Sequence, residues 1–168
     1  MLHVGIPEYR LPRDVLSDEI DAIKRLGVEI RLGVRVGRDI SIDEMKASGY
    51  KAFFFGIGAH KGLKLRIPGE DEFEGFIDAT KFLKNVNLGE KKAPGKKVCV
   101  IGAGNSAIDA ARTSLRLGAE EVHIVYRRQR EQMPANPAEV DAAEAEGIQI
   151  DLLTSPIRIL GKNGKVVG

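Results

Sequence analysis

The stretch VCVIGAGNSAIDAARTSLRLGAEEVHIVYRR, Val98 to Arg128, constrains the fold more than any other part of the chain. Four apolar residues, Val98 to Ile101, run straight into the turn Gly102-Ala103-Gly104-Asn105-Ser106-Ala107, a G-x-G-x-x-A pattern. Ala107, Ile108, Ala110, Ala111 and Leu115 then make a helix face for packing on a sheet, Gly118 closes the helix, and EVHIVY reads as the next strand. The glycine pattern by itself is common in strand-to-helix turns, and the strand before it and the helix after it make it specific. Each residue type has a physical task. Gly102 permits the tight turn, Gly104 lets a pyrophosphate approach the backbone without meeting a Cβ, and Ala107 keeps the helix close to the strand. The helix N-terminus offers unpaired N–H groups and a partial positive charge to phosphates. Gly102, Ala103, Gly104, Asn105, Ser106 and Ala107 are therefore candidate cofactor-binding residues.

The end of the second strand decides which dinucleotide fits. Sites for NAD or FAD usually carry Asp or Glu there, accepting hydrogen bonds from the ribose hydroxyls. This chain has Arg127 and Arg128, with Arg130 close by. A carboxylate would repel a 2′-phosphate, whereas guanidinium groups bind one through charge-assisted, often bidentate bonds. NADP(H) is expected rather than NAD.

Elsewhere strand and helix patterns alternate, which places the chain in the α/β class. Pro7 and Pro12 mark an extended segment, and a helix pattern follows from Arg13 to Leu26, with Gly27 as its stop. VEIRLGVRVG reads as a strand or hairpin, and Ser41 with Glu44 carries a capping-box signature for a short helix. YKAFFFGIGA, Tyr50 to Ala59, reads as a fully apolar, buried strand entering a glycine turn. A glycine-rich loop, the helix pattern IDATKFLKNVNLG and the linker EKKAPGKK lead into the nucleotide unit. After it come the helix pattern NPAEVDAAEAEG, the strand IQIDLL, and an Asn163-Gly164 hairpin signal.

Composition narrows the functional classes. Net charge is +2 over 168 residues with both signs interleaved, so no basic face for nucleic acid is expected. No apolar run approaches the roughly 20 residues of a membrane span, and the N-terminus lacks a signal-peptide pattern, so the cytoplasm is the expected location. The one cysteine, Cys99, lies in an apolar strand pattern and is expected to be a small buried hydrophobe. A single thiol cannot hold an iron–sulfur cluster. His3, His60 and His123 show no metal-ligand spacing, and His123 alternates with Val122 and Ile124 as an ordinary strand residue. No metal is expected. The Tyr-x-x-x-Lys pattern of short-chain dehydrogenases is also missing, since Tyr9, Tyr50 and Tyr126 are followed four residues on by Arg13, Phe54 and Arg130. No side chain is expected to act as a catalyst.

Taken in order, GIPEYRLP, FFFGIGAHKGLKLRIPGED, FLKNVNLG, VIGAGNSAIDAAR, YRRQREQMPA and EVDAAEAEGI resemble the FAD- and NADPH-dependent small (beta) subunit of glutamate synthase and its relatives. Those relatives include the NADPH-binding part of dihydropyrimidine dehydrogenase and the large subunit of NADH-dependent ferredoxin:NADP oxidoreductase. The resemblance implies two nested dinucleotide-binding domains. Residues 1–60 would be part of the FAD-binding domain, 61–93 a crossover and linker, and 94–168 a Rossmann-like NAD(P)H-binding domain that is incomplete at its C-terminal end. It implies that Gly56, Ile57, Gly58 and Ala59 touch FAD in the complete enzyme, and that Arg127 and Arg128 hold the 2′-phosphate. Met133 to Ala135 matches a loop near bound NADPH, while its own residues read equally as a lead-in to a helix.

The implied activity is hydride transfer from NADPH to FAD, with iron–sulfur clusters passing single electrons onward. The cysteine-rich cluster domain and the first glycine-rich unit for the FAD pyrophosphate are outside this sequence. The chain is therefore expected to be a central piece, inactive alone, whose partner is a flavin- and iron–sulfur-containing remainder or large subunit. The competing reading is a stand-alone NADP-binding regulatory module without redox turnover.

Overall fold

The computed structural model describes residues 2–58 and 62–168. The chain divides into two compact units, Met1–Pro12 with His60–Gly168, and Arg13–Ala59.

The larger unit is built on a parallel sheet. β1 (Lys97–Ile101), β2 (Glu121–Tyr126) and β3 (Gln149–Leu152) lie side by side in that order. The register aligns Val100 with Ile124 and Ile124 with Ile150. Parallel neighbours require crossovers, and here each is a helix. α5 (Asn105–Arg116) joins β1 to β2, and α6 (Pro137–Ala145) joins β2 to β3. Crossovers of one hand, taken in one direction, put both helices on the same face of the sheet. The core forms there, where Ile108 and Ala111 of α5 and Val140 and Ala143 of α6 close over Val122 and Ile124. The small side chains of α5, Ala107, Ala110 and Ala111, are all buried, so the helix lies close to the strands.

Among the described residues no helix packs on the opposite face of this sheet, and this corrects one expectation. Alternate residues Lys97 and Cys99 on β1 point there, and Cys99 is exposed rather than buried. Its composition gave the appearance of a strand buried on both faces, but only the Val98 and Val100 side meets the core. Across the same face His123 is more than an ordinary strand residue. Its Nδ1 lies 2.7 Å from Asp151 Oδ2 and its Nε2 3.1 Å from Glu121 Oε1.

Behind α5 lies α4 (Ala79–Asn87), whose Phe82 and Leu83 pack on Ala110. Asp78 caps α4 by accepting from the Lys81 N–H at 2.9 Å. The N-terminal α1 (Leu2–Gly5) lies against α4, with Asn87 Nδ2 donating to the Val4 and Ile6 carbonyls. Residues 7–11 form a turn and not the expected extended segment, because the Pro7 carbonyl accepts from the N–H groups of both Arg10 and Leu11. At the other end the Asn-Gly signal gives the hairpin β4 (Gly161–Lys162) and β5 (Lys165–Val166). Asn163 and Gly164 both take positive φ, 51° and 76°, as a primed two-residue turn demands.

The smaller unit contains α2 (Arg13–Arg25) and α3 (Ile42–Ala47). The capping box forms as read: Glu44 N–H donates to Ser41 Oγ at 3.1 Å, and Ser41 N–H donates to Glu44 Oε2 at 2.7 Å. Two strand expectations fail. Residues 28–37 make only one isolated bridge, Val36 to Ile40, and residues 50–58 make no strand. A strand exists only when a neighbour completes its hydrogen-bond ladder, and residues 50–58 belong to neither of the two sheets. Phe54 is consequently 96% exposed and Ile57 77% exposed.

Candidate functional site

The glycine turn sits where β1 ends and α5 begins. Gly102 N–H donates to the Val125 carbonyl at 2.9 Å, adding one rung beyond the β1–β2 register. Its φ is 114°, a conformation that L side chains rarely adopt, so the tight turn requires glycine at this position. Gly104 is different. Its φ of −84° and ψ of 170° suit any residue, and a Cβ there would meet nothing nearer than Pro134 Cγ at 4.0 Å. Neither backbone strain nor the chain's own packing asks for glycine at 104. A ligand lying against the backbone would.

Gly104 is also the N-cap of α5, and it offers no side-chain acceptor. Ala107 N–H already donates to the Gly104 carbonyl at 2.9 Å, so the Asn105 and Ser106 N–H groups are the ones left to another partner, at the positive end of a three-turn helix. Of the remaining turn residues, Ala103 and Ala107 are buried, whereas Asn105 and Ser106 are exposed. Ala103 and Asn105 are tied to the segment before α6. The Ala103 carbonyl accepts from Ala135 N–H at 3.1 Å, and Asn105 Oδ1 accepts from Asn136 N–H at 3.0 Å. Met133 to Ala135 therefore borders the glycine turn, and Ala135 is buried against the core.

At the end of β2, Arg127 and Arg128 are both exposed, and neither makes an ion pair with a described carboxylate. Other arginines of this unit are engaged. Arg130 donates to Asp141 and Glu144, Arg112 to Glu139 and Glu146, and Arg116 to Glu146. Burial works against the charged form of Glu146, but the guanidinium groups of Arg116 and Arg112 overcome it and hold the carboxyl down to about 2. Arg127 and Arg128, which the sequence marks for a 2′-phosphate, have no such partner among the described residues. The segment carrying them is fixed by Tyr126, whose hydroxyl donates to the Gln132 carbonyl at 2.6 Å.

Gly102 and Arg127 line one cavity of about 330 Å³ at the carboxyl ends of the three strands. Its walls include residues that sequence reasoning missed: Thr154, Ser155 and Pro156 after β3, and Leu65 and Ile67 from the glycine-rich loop. The Ser-Pro pair marks the chain leaving β3, so the first group had a local signal. Leu65 and Ile67 had none. They are placed by a buried carboxylate, since Glu70 accepts from Leu65 N–H at 2.9 Å and from Arg66 N–H at 2.7 Å.

A second buried acid, Asp109, lies on α5. Arg10 Nη1 donates to both of its oxygens, at 2.9 and 2.8 Å, and Tyr9 covers Arg112 and Arg116 with its ring, centroid distances 4.8 and 4.1 Å. Burial pushes the Asp109 carboxyl above the ordinary carboxylate range, with Arg10 opposing the shift. The GIPEYRLP segment is thereby pinned to the helix that follows the glycine turn. Gly56, Ile57 and Gly58 lie in the smaller unit, and Ala59 falls outside the described residues.

Known proteins resemble this chain in sequence and in fold. A family model described as pyridine nucleotide-disulphide oxidoreductase matches residues 12–168. The beta subunit of the NADP(+)-dependent formate dehydrogenase of Moorella thermoacetica is 48% identical over the whole chain, which spans 24% of that relative. The small chain of the NADPH glutamate synthase of Escherichia coli is 34% identical, again over the whole chain and over 38% of the relative. In fold, the chain is similar to Mycobacterium tuberculosis FprA, solved in complex with NADPH. The TM-score is 0.70 at 22% identity, covering 98% of this chain and 52% of FprA. With a family match over nearly its whole length and curated relatives sharing up to 48% of its residues, the chain belongs to the pyridine nucleotide-disulphide oxidoreductase family.

Proposed function

We propose that this chain is the NADPH-binding portion of a flavin-dependent oxidoreductase of the glutamate synthase beta-subunit type, in which a hydride passes from NADPH to FAD. One observation carries the reading: an uncapped glycine turn and two arginines without carboxylate partners stand at the ends of adjacent strands. The turn offers N–H groups to a pyrophosphate, and the arginines offer charge-assisted bonds to a phosphate on the 2′-oxygen. The names of the relatives, which specify NADP or NADPH, support the choice of nucleotide.

When bound, NADPH supplies the hydride and the flavin accepts it, so the protein's contribution is placement and electrostatics. Gly102, Ala103, Gly104, Asn105, Ser106 and Ala107 cradle the pyrophosphate. Arg127 and Arg128 clamp the 2′-phosphate, and no side chain of this chain moves a proton. Gly56, Ile57, Gly58 and Ala59 face FAD in the complete enzyme, within a segment of the FAD-binding domain spanning residues 1–60. Residues 61–93 cross over to the NADPH domain of 94–168. The rest of the flavin site comes from the remainder of a longer protein or from a large subunit. The description of relatives as beta subunits and small chains supports such a partner.

The test is titration of the purified chain with NADPH and with NADH, beside the Arg127→Glu variant. Hydrogen bonds to charged groups contribute about 1.5–3 kcal/mol each, so NADPH should bind at least about tenfold more tightly. Arg127→Glu should erase that preference. Equal affinity for the two nucleotides, or a preference that survives Glu at both 127 and 128, would refute the assignment. NADPH binding that never accelerates flavin reduction in the assembled enzyme would favour a regulatory module instead.

A further inference from the structure

We propose that α6 is the strut that sets the spacing between the pyrophosphate turn and the 2′-phosphate arginines, with Arg130 as its positioning residue; the inference rests on the NADPH reading above. The 5′-pyrophosphate and the 2′-phosphate hang from one adenosine ribose, so the chemistry of the ligand fixes their separation. A protein that grips both must hold two loops at the matching distance before the ligand arrives. Those loops lie at the ends of different strands, and Arg127 to Gln129 are exposed.

One element bonds to both loops. At the N-terminal end of α6, Asn136 N–H donates to Asn105 Oδ1 at 3.0 Å, and the adjoining Ala135 N–H donates to the Ala103 carbonyl at 3.1 Å. Asp141 and Glu144, one turn apart on the helix body, receive Arg130. Its Nη1 donates to Glu144 Oε1 at 2.7 Å, and its Nη2 donates to Glu144 Oε2 at 2.6 Å and Asp141 Oδ1 at 2.8 Å. A forked, two-carboxylate grip of this kind is the geometry in which a surface ion pair holds position. The helix is itself braced on α5, because Glu139 meets Arg112 and Glu146 meets both Arg112 and Arg116. Motion of the strut relative to the phosphate turn is therefore restrained.

By its place two residues after Arg128, Arg130 invites assignment as a third phosphate ligand. Its geometry argues otherwise: two carboxylates already take its donors and balance its charge. Arg130 orients the loop from which Arg127 and Arg128 reach out.

The two roles predict opposite signs for one variant. Asp141→Asn combined with Glu144→Gln frees Arg130 and removes two negative charges. A phosphate-binding Arg130 would then grip NADPH more tightly. A strut would lose its hold, weakening NADPH by about fivefold or more (about 1 kcal/mol or more) while NADH changes by less than about twofold. Amide hydrogen exchange without nucleotide supplies a second readout, in which the amides of Arg127 to Gln132 should exchange faster in the double variant. Arg130→Lys, which keeps the charge but not the fork, should behave like the double variant. Tighter or unchanged NADPH binding, or unchanged exchange, would overturn the strut alone. A wild-type chain that binds neither nucleotide would overturn the NADPH reading and the strut with it.

Discussion

Replacing Arg10 by Ala tests the tie between the N-terminal segment and α5, the helix after the glycine turn. Asp109 is 4% exposed, and Arg10 is the guanidinium that donates to both of its oxygens. Removing one partner of a fully buried pair costs about 3–5 kcal/mol, because a charge is left without compensation. The Arg10 side chain is 22% exposed, so water shares the load, and about 2 kcal/mol is the reasonable expectation. For a chain of this size that lowers the melting temperature by about 4–8 °C.

The loss should also depend on pH, with a definite sign. Burial raises the Asp109 carboxyl above its unfolded value, so the native state holds the extra proton in the window between the two. Stability consequently falls as pH climbs through that window. Without Arg10, which opposes the shift, the folded value rises further and the window extends toward neutral pH. Urea unfolding of the wild type and Arg10→Ala at pH 5.0 and 7.5 is the assay. The variant should lose more at pH 7.5, and adding Asp109→Asn to it should recover much of the difference. A loss below about 0.5 kcal/mol, or one equal at both pH values and untouched by Asp109→Asn, would refute the reasoning.

Two further expectations concern the sheet. The His123 imidazole is held above its ordinary value, first by Asp151 and then by Glu121, so its contribution to stability is complete below the unfolded value near 6.5 and lost as pH rises through the folded one. The groups are partly exposed, so His123→Gln should cost about 0.5 kcal/mol at pH 5.5 and nothing at pH 8.5, read from urea midpoints. On the other face Ile124 is completely buried between α5 and α6, and Ile124→Ala should cost about 3 kcal/mol by the same measurement at any pH in that range.

What was legible in the sequence was what local physics dictates. The strand–turn–helix–strand unit, the Ser41–Glu44 box and the Asn163-Gly164 turn each depend on residues a few positions apart, and each forms. Burial was less legible, since it depends on what lies across a face. Cys99 has an apolar neighbourhood along the chain and an open one in space. The run Tyr50 to Gly58 has the composition of a buried strand, but composition cannot supply the neighbour that would complete its ladder. At the site, the turn and the arginine pair were readable from their spacing and charge. That Arg130 is spent on α6 was not, because the decision lies with Asp141 and Glu144 on another element. Nor was the bond between Arg10 and Asp109, partners 99 residues apart.

In the proposed function, Arg127 and Arg128 recognise a 2′-phosphate on the ribose of an adenosine pyrophosphate. The decisive measurement is calorimetric titration of this chain with 2′-phospho-ADP-ribose and with ADP-ribose, because the two ligands share the pyrophosphate, differ only by the 2′-phosphate and carry neither nicotinamide nor flavin. A preference for 2′-phospho-ADP-ribose of about tenfold or more is expected, abolished by Arg127→Glu. Equal binding of the two ligands by the wild-type chain would contradict it.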